Sequence, residues 1–142
     1  MPAFIDTWGW IAICDQTVRE YEKASTFFFS RFEAGGRFAT SNFVLAETIT
    51  LAFSRYGENL GERFLDRILD LLQMASFRYE EVTPERFEKT LEFRRRYRDK
   101  PKISFTDLTS MVVMRELGIT EIVTADRHFE QVNLGFRIVP GR

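Results

Sequence analysis

The chain has 142 residues, 44% of them hydrophobic and 29% charged, and its formal net charge is -1. That length and composition support one domain with a single substantial core, and the charge balance excludes a global basic field that would draw in nucleic acid. A lone cysteine excludes an intrachain disulfide, and one Cys with one His cannot close a zinc site.

In chain order, Ala3-Phe4-Ile5 reads as a short buried strand, followed by a helical run through Trp8, Ile11 and Ala12. Cys14 lies in this apolar stretch, the setting of an inert, buried thiol. Thr17 is placed to cap a second helix that reaches about Phe32, ahead of Gly35-Gly36. Arg37 to Thr40 is the second strand, and Asn42 caps a helix that carries Glu47 and ends at Tyr56-Gly57. The spacing of Leu60, Phe64, Ile68, Leu71 and Leu72 predicts another amphipathic helix. Phe77 to Val82 alternates as a strand does; Thr83 and Pro84 then form an N-cap and first helical position for a helix through Phe87 and Leu91. Ser104 to Leu117 is a further helix, stopped by Gly118, and Glu121 to Thr124 and Phe136 to Val139 are the last strands. With no repeat and no linker, residues 1–142 read as one α/β domain: a central, mostly parallel sheet with helices on both faces.

Four carboxylates stand out against this pattern. Asp6 follows the first strand, Asp126 follows Ile122-Val123-Thr124-Ala125, Asp107 opens an apolar helix, and Glu47 interrupts another. Each of the three aspartates has a plain structural explanation. Asp6 and Asp126 are placed to cap the helices after them, and Ser104 with Asp107 three residues later resembles a capping box. Glu47 is harder to explain: it either points out at a solvated edge or is buried with a partner. Since the positions one turn away are Phe43, Val44, Thr50 and Leu51, no helical salt bridge accounts for it. In α/β proteins the carboxyl ends of parallel strands and the adjoining helix starts share one crevice. Acids gathered there without Lys or Arg repel one another, and hard divalent cations with phosphate oxygens are their natural company.

Four segments carry these acids: Phe4-Ile5-Asp6-Thr7-Trp8-Gly9-Trp10-Ile11-Ala12, Thr40-Ser41-Asn42-Phe43-Val44-Leu45-Ala46-Glu47-Thr48, Ser104-Phe105-Thr106-Asp107 with Met111 to Met114, and Thr124-Ala125-Asp126-Arg127-His128-Phe129. Together, in order and spacing, they resemble the PIN-domain family of metal-dependent ribonucleases, and in particular its VapC-type toxins from toxin–antitoxin pairs. The resemblance implies a PIN-like fold and an endoribonuclease that uses metal-activated water and leaves a 5′-phosphate. It implies that Asp6, Glu47, Asp107 and Asp126 hold one or two Mg²⁺ or Mn²⁺ ions and that Thr124 supports them. Within that set, Asp6, Asp107 and Glu47 are expected to touch the metal directly, with Asp126 and Thr124 completing or orienting the shell. The resemblance also implies a homodimer and an antitoxin partner. One departure is the helix Leu108-Thr109-Ser110-Met111-Val112-Val113-Met114, which is Ala-rich in many members.

RNA attraction is assigned to the run Arg94, Arg95, Arg96, Arg98, Lys100 and Lys102, with Tyr97 as a candidate for stacking on a base. The alternative for the run is a solvated helix end whose cations complement the helix dipole. The resemblance implies that His128, in the His-Phe pair after the fourth acid, is structural rather than catalytic. Tyr21, Phe27, Phe28, Phe29 and Phe32 cannot all face inward from one helix, so that helix is either buried between neighbours or offers an apolar groove to a partner. Two other functions fit less well: a non-catalytic PIN-like module that binds RNA or protein, and a phosphatase, for which Asp6-Thr7-Trp8 lacks a second Asp. No basic-then-apolar leader and no apolar run of membrane-spanning length is present, so a cytoplasmic protein is expected.

Overall fold

Strand formation follows the apolar runs. A computed structural model describes residues 1–141. It contains strands β1 (Ala3–Ile5), β2 (Phe38–Ser41), β3 (Phe77–Glu80), β4 (Glu121–Val123) and β5 (Arg137–Val139). The helices are α1 (Thr7–Cys14), α2 (Tyr21–Glu33), α3 (Asn42–Leu72), α4 (Pro84–Arg96), α5 (Phe105–Leu117) and α6 (His128–Gln131). The strands form one sheet in the order β3-β2-β1-β4-β5, and every pairing is parallel. Residues of β1 and β2 are buried without alternation, as a parallel sheet covered on both faces requires. From β1 the chain steps through β2 to β3; from β4 it steps the opposite way to β5. With right-handed crossovers, α1 to α3 cover one face and α4 to α6 the other. The direction reverses between β1 and β4, which opens a crevice beyond their carboxyl ends.

Aromatic packing explains much of the phenylalanine content. Phe28 lies 4.7 Å from Phe38, Phe38 lies 5.4 Å from Phe77, and Phe77 stacks 5.8 Å from Trp10. Phe28 and Trp10 are fully buried, Phe27 and Phe32 are partly buried, and of the α2 phenylalanines Phe29 alone is exposed. Thus α2 packs one face on the core through Ala24, Ser25 and Phe28, and its five aromatics do not form an open groove.

Several local expectations are corrected. Thr17 does not cap α2, which starts at Tyr21 behind Glu20 with no side-chain cap. Its N–H and hydroxyl both donate to Asp15 Oδ1, at 2.9 and 2.6 Å, so Asp15 holds the residue in a turn instead. Ser41, not Asn42, caps α3, its Oγ accepting from Val44 N at 3.2 Å. Asn42 Oδ1 accepts from Val82 N at 2.7 Å and ties the start of α3 to the segment after β3. That use of Val82 ends β3 at Glu80, two residues early. Gly57 (φ 81°, ψ 178°) breaks α3 into two helical halves, as the Tyr56-Gly57 pair predicts. Gly118 at φ 70° ends α5 as expected.

Candidate metal centre

Three devices bring Asp6 to the crevice. Asp6 N donates to Val123 O at 3.4 Å, extending the β1–β4 pairing by one residue. Thr40 Oγ1 donates to Ile5 O at 2.9 Å and accepts from Trp10 Nε1 at 3.2 Å, which fixes the end of β1. Gly9 then lets α1 lie flat on β4: a Cβ there would stand 2.0 Å from Val123 O. Asp6 Oδ1 caps α1 by accepting from Gly9 N at 2.7 Å. Its Oδ2 accepts from Thr124 Oγ1 at 2.6 Å, and Thr124 Oγ1 accepts in turn from Asp126 N at 2.9 Å. One hydroxyl therefore spaces the two strand-end acids.

Asp107 reaches the same place from the first turn of α5. Ser104 Oγ accepts from its backbone N at 3.0 Å, which leaves the Asp107 carboxylate free of capping duty. Asp107 Oδ2 lies 3.2 Å from His128 Nδ1, and Asp126 Oδ2 lies 3.1 Å from the same nitrogen. Asp126 Oδ1 accepts from His128 N at 3.0 Å. Asp107, Asp126 and His128 thus form a converging donor group. Glu47 sits half-buried on α3 in a groove of about 680 Å³ with Thr7, Trp8, Phe43 and Thr106. Its charge is felt at Asp107, but among the described residues it makes no hydrogen bond or ion pair.

Electrostatics confirm the crowding. Burial pushes the Asp6 carboxyl well above the usual carboxylate range; the Thr124 hydrogen bond opposes this, while Asp107 and Asp126 add to it. Burial also raises Asp107, helped by Asp126 and Glu47 and opposed by His128. Among the described residues no Lys or Arg pairs with Asp6, Glu47, Asp107 or Asp126. A carboxylate-rich set without compensating side chains fits a hard divalent cation. Sequence reasoning missed His128 as a member of the cluster. The available signal was its place two residues after Asp126, where an Asp side chain hydrogen-bonds forward to the backbone.

The basic run leads into this end of the fold but divides by task. The Arg94 guanidinium donates to the carbonyls of Ile103, Tyr97 and Lys100, folding the loop that delivers Ser104 and Asp107. Lys100 Nζ pairs with Asp99 at 3.0 Å. Arg95, Arg96 and Arg98 are exposed, as is Lys102. Tyr97 does not stand free for stacking: its ring meets Phe93 edge-on at 5.8 Å and its hydroxyl donates to Val132 O at 3.4 Å.

A model of the PIN domain matches residues 3–134. The chain belongs to the PIN-domain family. Among solved structures it is similar to Mycobacterium tuberculosis VapC20, a sarcin–ricin-loop-cleaving toxin, with 29% identity and a TM-score of 0.79. The match covers 92% of this chain and 95% of that one. No curated protein matches. The parallel five-stranded sheet is thus that of a VapC-like PIN domain, and family membership makes this chain a nuclease acting on RNA.

Proposed function

We propose that this PIN-domain chain, over residues 1–142, is a metal-dependent endoribonuclease acting as the toxin of a toxin–antitoxin pair. The observation that carries the proposal is the convergence of Asp6, Asp107 and Asp126 at the β1–β4 switch point, where His128 is the basic neighbour and no Lys or Arg among the described residues pairs with them. Asp6, Glu47, Asp107 and Asp126 are the acids assigned to one or two Mg²⁺ or Mn²⁺ ions. Thr124 orients two of them through its donated and accepted hydrogen bonds. When bound, such an ion supplies Lewis-acid polarisation of a phosphoryl oxygen and a nucleophilic water at neutral pH. The protein's own part is to hold the carboxylates rigidly, so that little reorganisation remains when the phosphodiester arrives.

Arg95, Arg96, Arg98 and Lys102 are assigned to RNA phosphates, with Arg94 and Lys100 shaping the loop that carries them. Exposed Phe87 and Leu91, one turn apart on α4, support a partner surface for an antitoxin or a second copy. No described helix is long and apolar enough to cross a membrane, and the cytoplasm is the compartment that suits an RNA-cutting toxin. The test is cleavage of structured RNAs, including a sarcin–ricin loop, in Mn²⁺ or Mg²⁺ against EDTA, with wild type and Asp6→Asn. Metal-dependent cutting that Asp6→Asn loses is the expected result; undiminished cutting by the variant removes Asp6 from the site. No cutting with any metal favours a non-catalytic module whose acids are caps.

A further inference from the structure

We infer, resting on the metal-nuclease proposal above, that His128 is itself a metal ligand, donating Nδ1 beside Asp107 Oδ2 and Asp126 Oδ2, and that this nitrogen turns the site towards Mn²⁺ over Mg²⁺. The geometry is specific. His128 Nδ1 stands 3.2 Å from one carboxylate oxygen and 3.1 Å from the other. A ring nitrogen carries either one hydrogen or one lone pair. It cannot serve both oxygens well as a donor, and as an acceptor it repels both. A cation between the three atoms satisfies all of them. Neighbouring ligands on an octahedral ion with bonds of about 2.0–2.2 Å lie about 3 Å apart, which is the spacing found here.

The ring is held where this requires it. His128 N donates to Asp126 Oδ1 at 3.0 Å, so the backbone of the histidine is tied to its fellow ligand. The next residue, Phe129, is buried and meets Phe136 edge-on at 6.1 Å, which anchors the first turn of α6. The side chains of Asp107, Asp126 and His128 keep 11%, 20% and 23% of their exposure. That leaves room for waters and a phosphate oxygen on the ion.

Selectivity follows from the donor types. An all-oxygen set suits Mg²⁺ and Mn²⁺ alike, whereas imidazole nitrogen binds first-row transition ions and gives little to Mg²⁺, which prefers oxygen and keeps its waters. The sequence reading of His128 as merely structural is thereby replaced: it touches the cofactor.

The experiment is pulsed electron paramagnetic resonance of Mn²⁺ on the full chain, alongside calorimetric titration with Mn²⁺ alone and Mg²⁺ alone. The expected result is a directly coordinated ¹⁴N coupling in wild type that becomes a ¹⁵N coupling when histidine is ¹⁵N-labelled. His128→Asn should lose the coupling and about 10–100-fold in Mn²⁺ affinity, with a smaller loss for Mg²⁺. The labelled wild type makes the assignment without any substitution, so a variant that misfolds does not spoil it. Mn²⁺ binding without a histidine nitrogen coupling overturns the inference and leaves the nuclease proposal standing. An unchanged ratio of Mn²⁺ to Mg²⁺ affinity in a folded His128→Asn variant overturns the selectivity. Absence of binding by either ion overturns the ligand assignment and the metal-nuclease proposal together.

Discussion

Asp6→Asn should stabilise the metal-free protein while removing its response to metal. Asn caps a helix as well as Asp does, so the Gly9 N hydrogen bond survives. On the other side, Asn Nδ2 would donate to Thr124 Oγ1, reversing the present 2.6 Å bond at a cost of about 0.5–1.5 kcal/mol. Against this stands the removal of a buried charge. Burial is the largest cause raising the Asp6 carboxyl, with Asp107 and Asp126 adding to it. Each whole unit by which the folded value exceeds the unfolded one corresponds to about 1.4 kcal/mol of stability lost at neutral pH.

For a raised acid the sign is unambiguous. Both states are protonated below the ordinary aspartate value of 3.8. As pH rises through the folded pKa, the unfolded chain has already released its proton and the folded one resists, so stability falls. Wild type should therefore lose stability relative to Asp6→Asn from about pH 4 upward, and the two should converge below it. A net gain of 1 kcal/mol raises Tm by about 3–5 °C in a domain of this size. The assay is thermal unfolding by circular dichroism in EDTA from pH 3.5 to 8, repeated with excess Mn²⁺. Mn²⁺ should raise the wild-type Tm and leave the variant's nearly unmoved. A variant less stable than wild type at pH 7.5 in EDTA, or equally stabilised by Mn²⁺, would refute the account.

Replacing Arg95 and Arg96 together with Ala should lower the slope of log K for RNA against log salt by about 1.4, measured by fluorescence anisotropy. Arg94→Ala should instead lower Tm, because it strips donors from three loop carbonyls. Gly9→Ala should cost at least about 3 kcal/mol in urea unfolding, since its Cβ meets the Val123 carbonyl oxygen at 2.0 Å; wild-type stability would show that α1 does not lie on β4 as described. Burial pushes the Cys14 thiol up to about 11, so native Cys14 should react with a thiol reagent at pH 8 about 100-fold more slowly than a free thiol. The structure places Cys14 half-buried rather than fully buried, and reaction at the free rate would contradict the raised thiol.

The fold was legible because each strand is a short apolar run and each long helix keeps its three-to-four spacing. What escaped depends on contacts between distant residues. Thr17 has the composition of a cap, but Asp15 captures it first, and Asp15 matters because Tyr56 Oη donates to it at 2.6 Å across 41 residues. Burial alone would raise the Asp15 carboxyl, yet hydrogen bonds from Thr17 and Tyr56 and the nearby Arg55 bring it below its usual value. Nothing local in Asp15-Gln16-Thr17 announces that. The site shows the same division. Asp6, Asp107 and Asp126 were readable from strand ends and a helix start, whereas the inward turn of His128 depends on Asp126 Oδ1 gripping its backbone and Phe129 filling the core beside it.

These observations explain why structural and functional readings of the same aspartates need not compete. Asp6 Oδ1 caps α1, whereas Asp126, expected to cap α6, instead accepts from His128 N in an Asx turn while Arg127 stands at the N-cap without a side-chain bond. Those two bonds fix where the remaining oxygens point. The bonds alone would be served by Ser or Asn without gathering charge. Choosing Asp at both positions, beside Asp107 and within reach of Glu47, makes the crevice electrostatically frustrated unless a cation shares it. On the metal-nuclease proposal, a fold that carries such repulsion at the β1–β4 switch point should have its stability linked to a cation. The same rigid capping that makes the acids costly without metal is what holds them ready when metal and phosphate arrive.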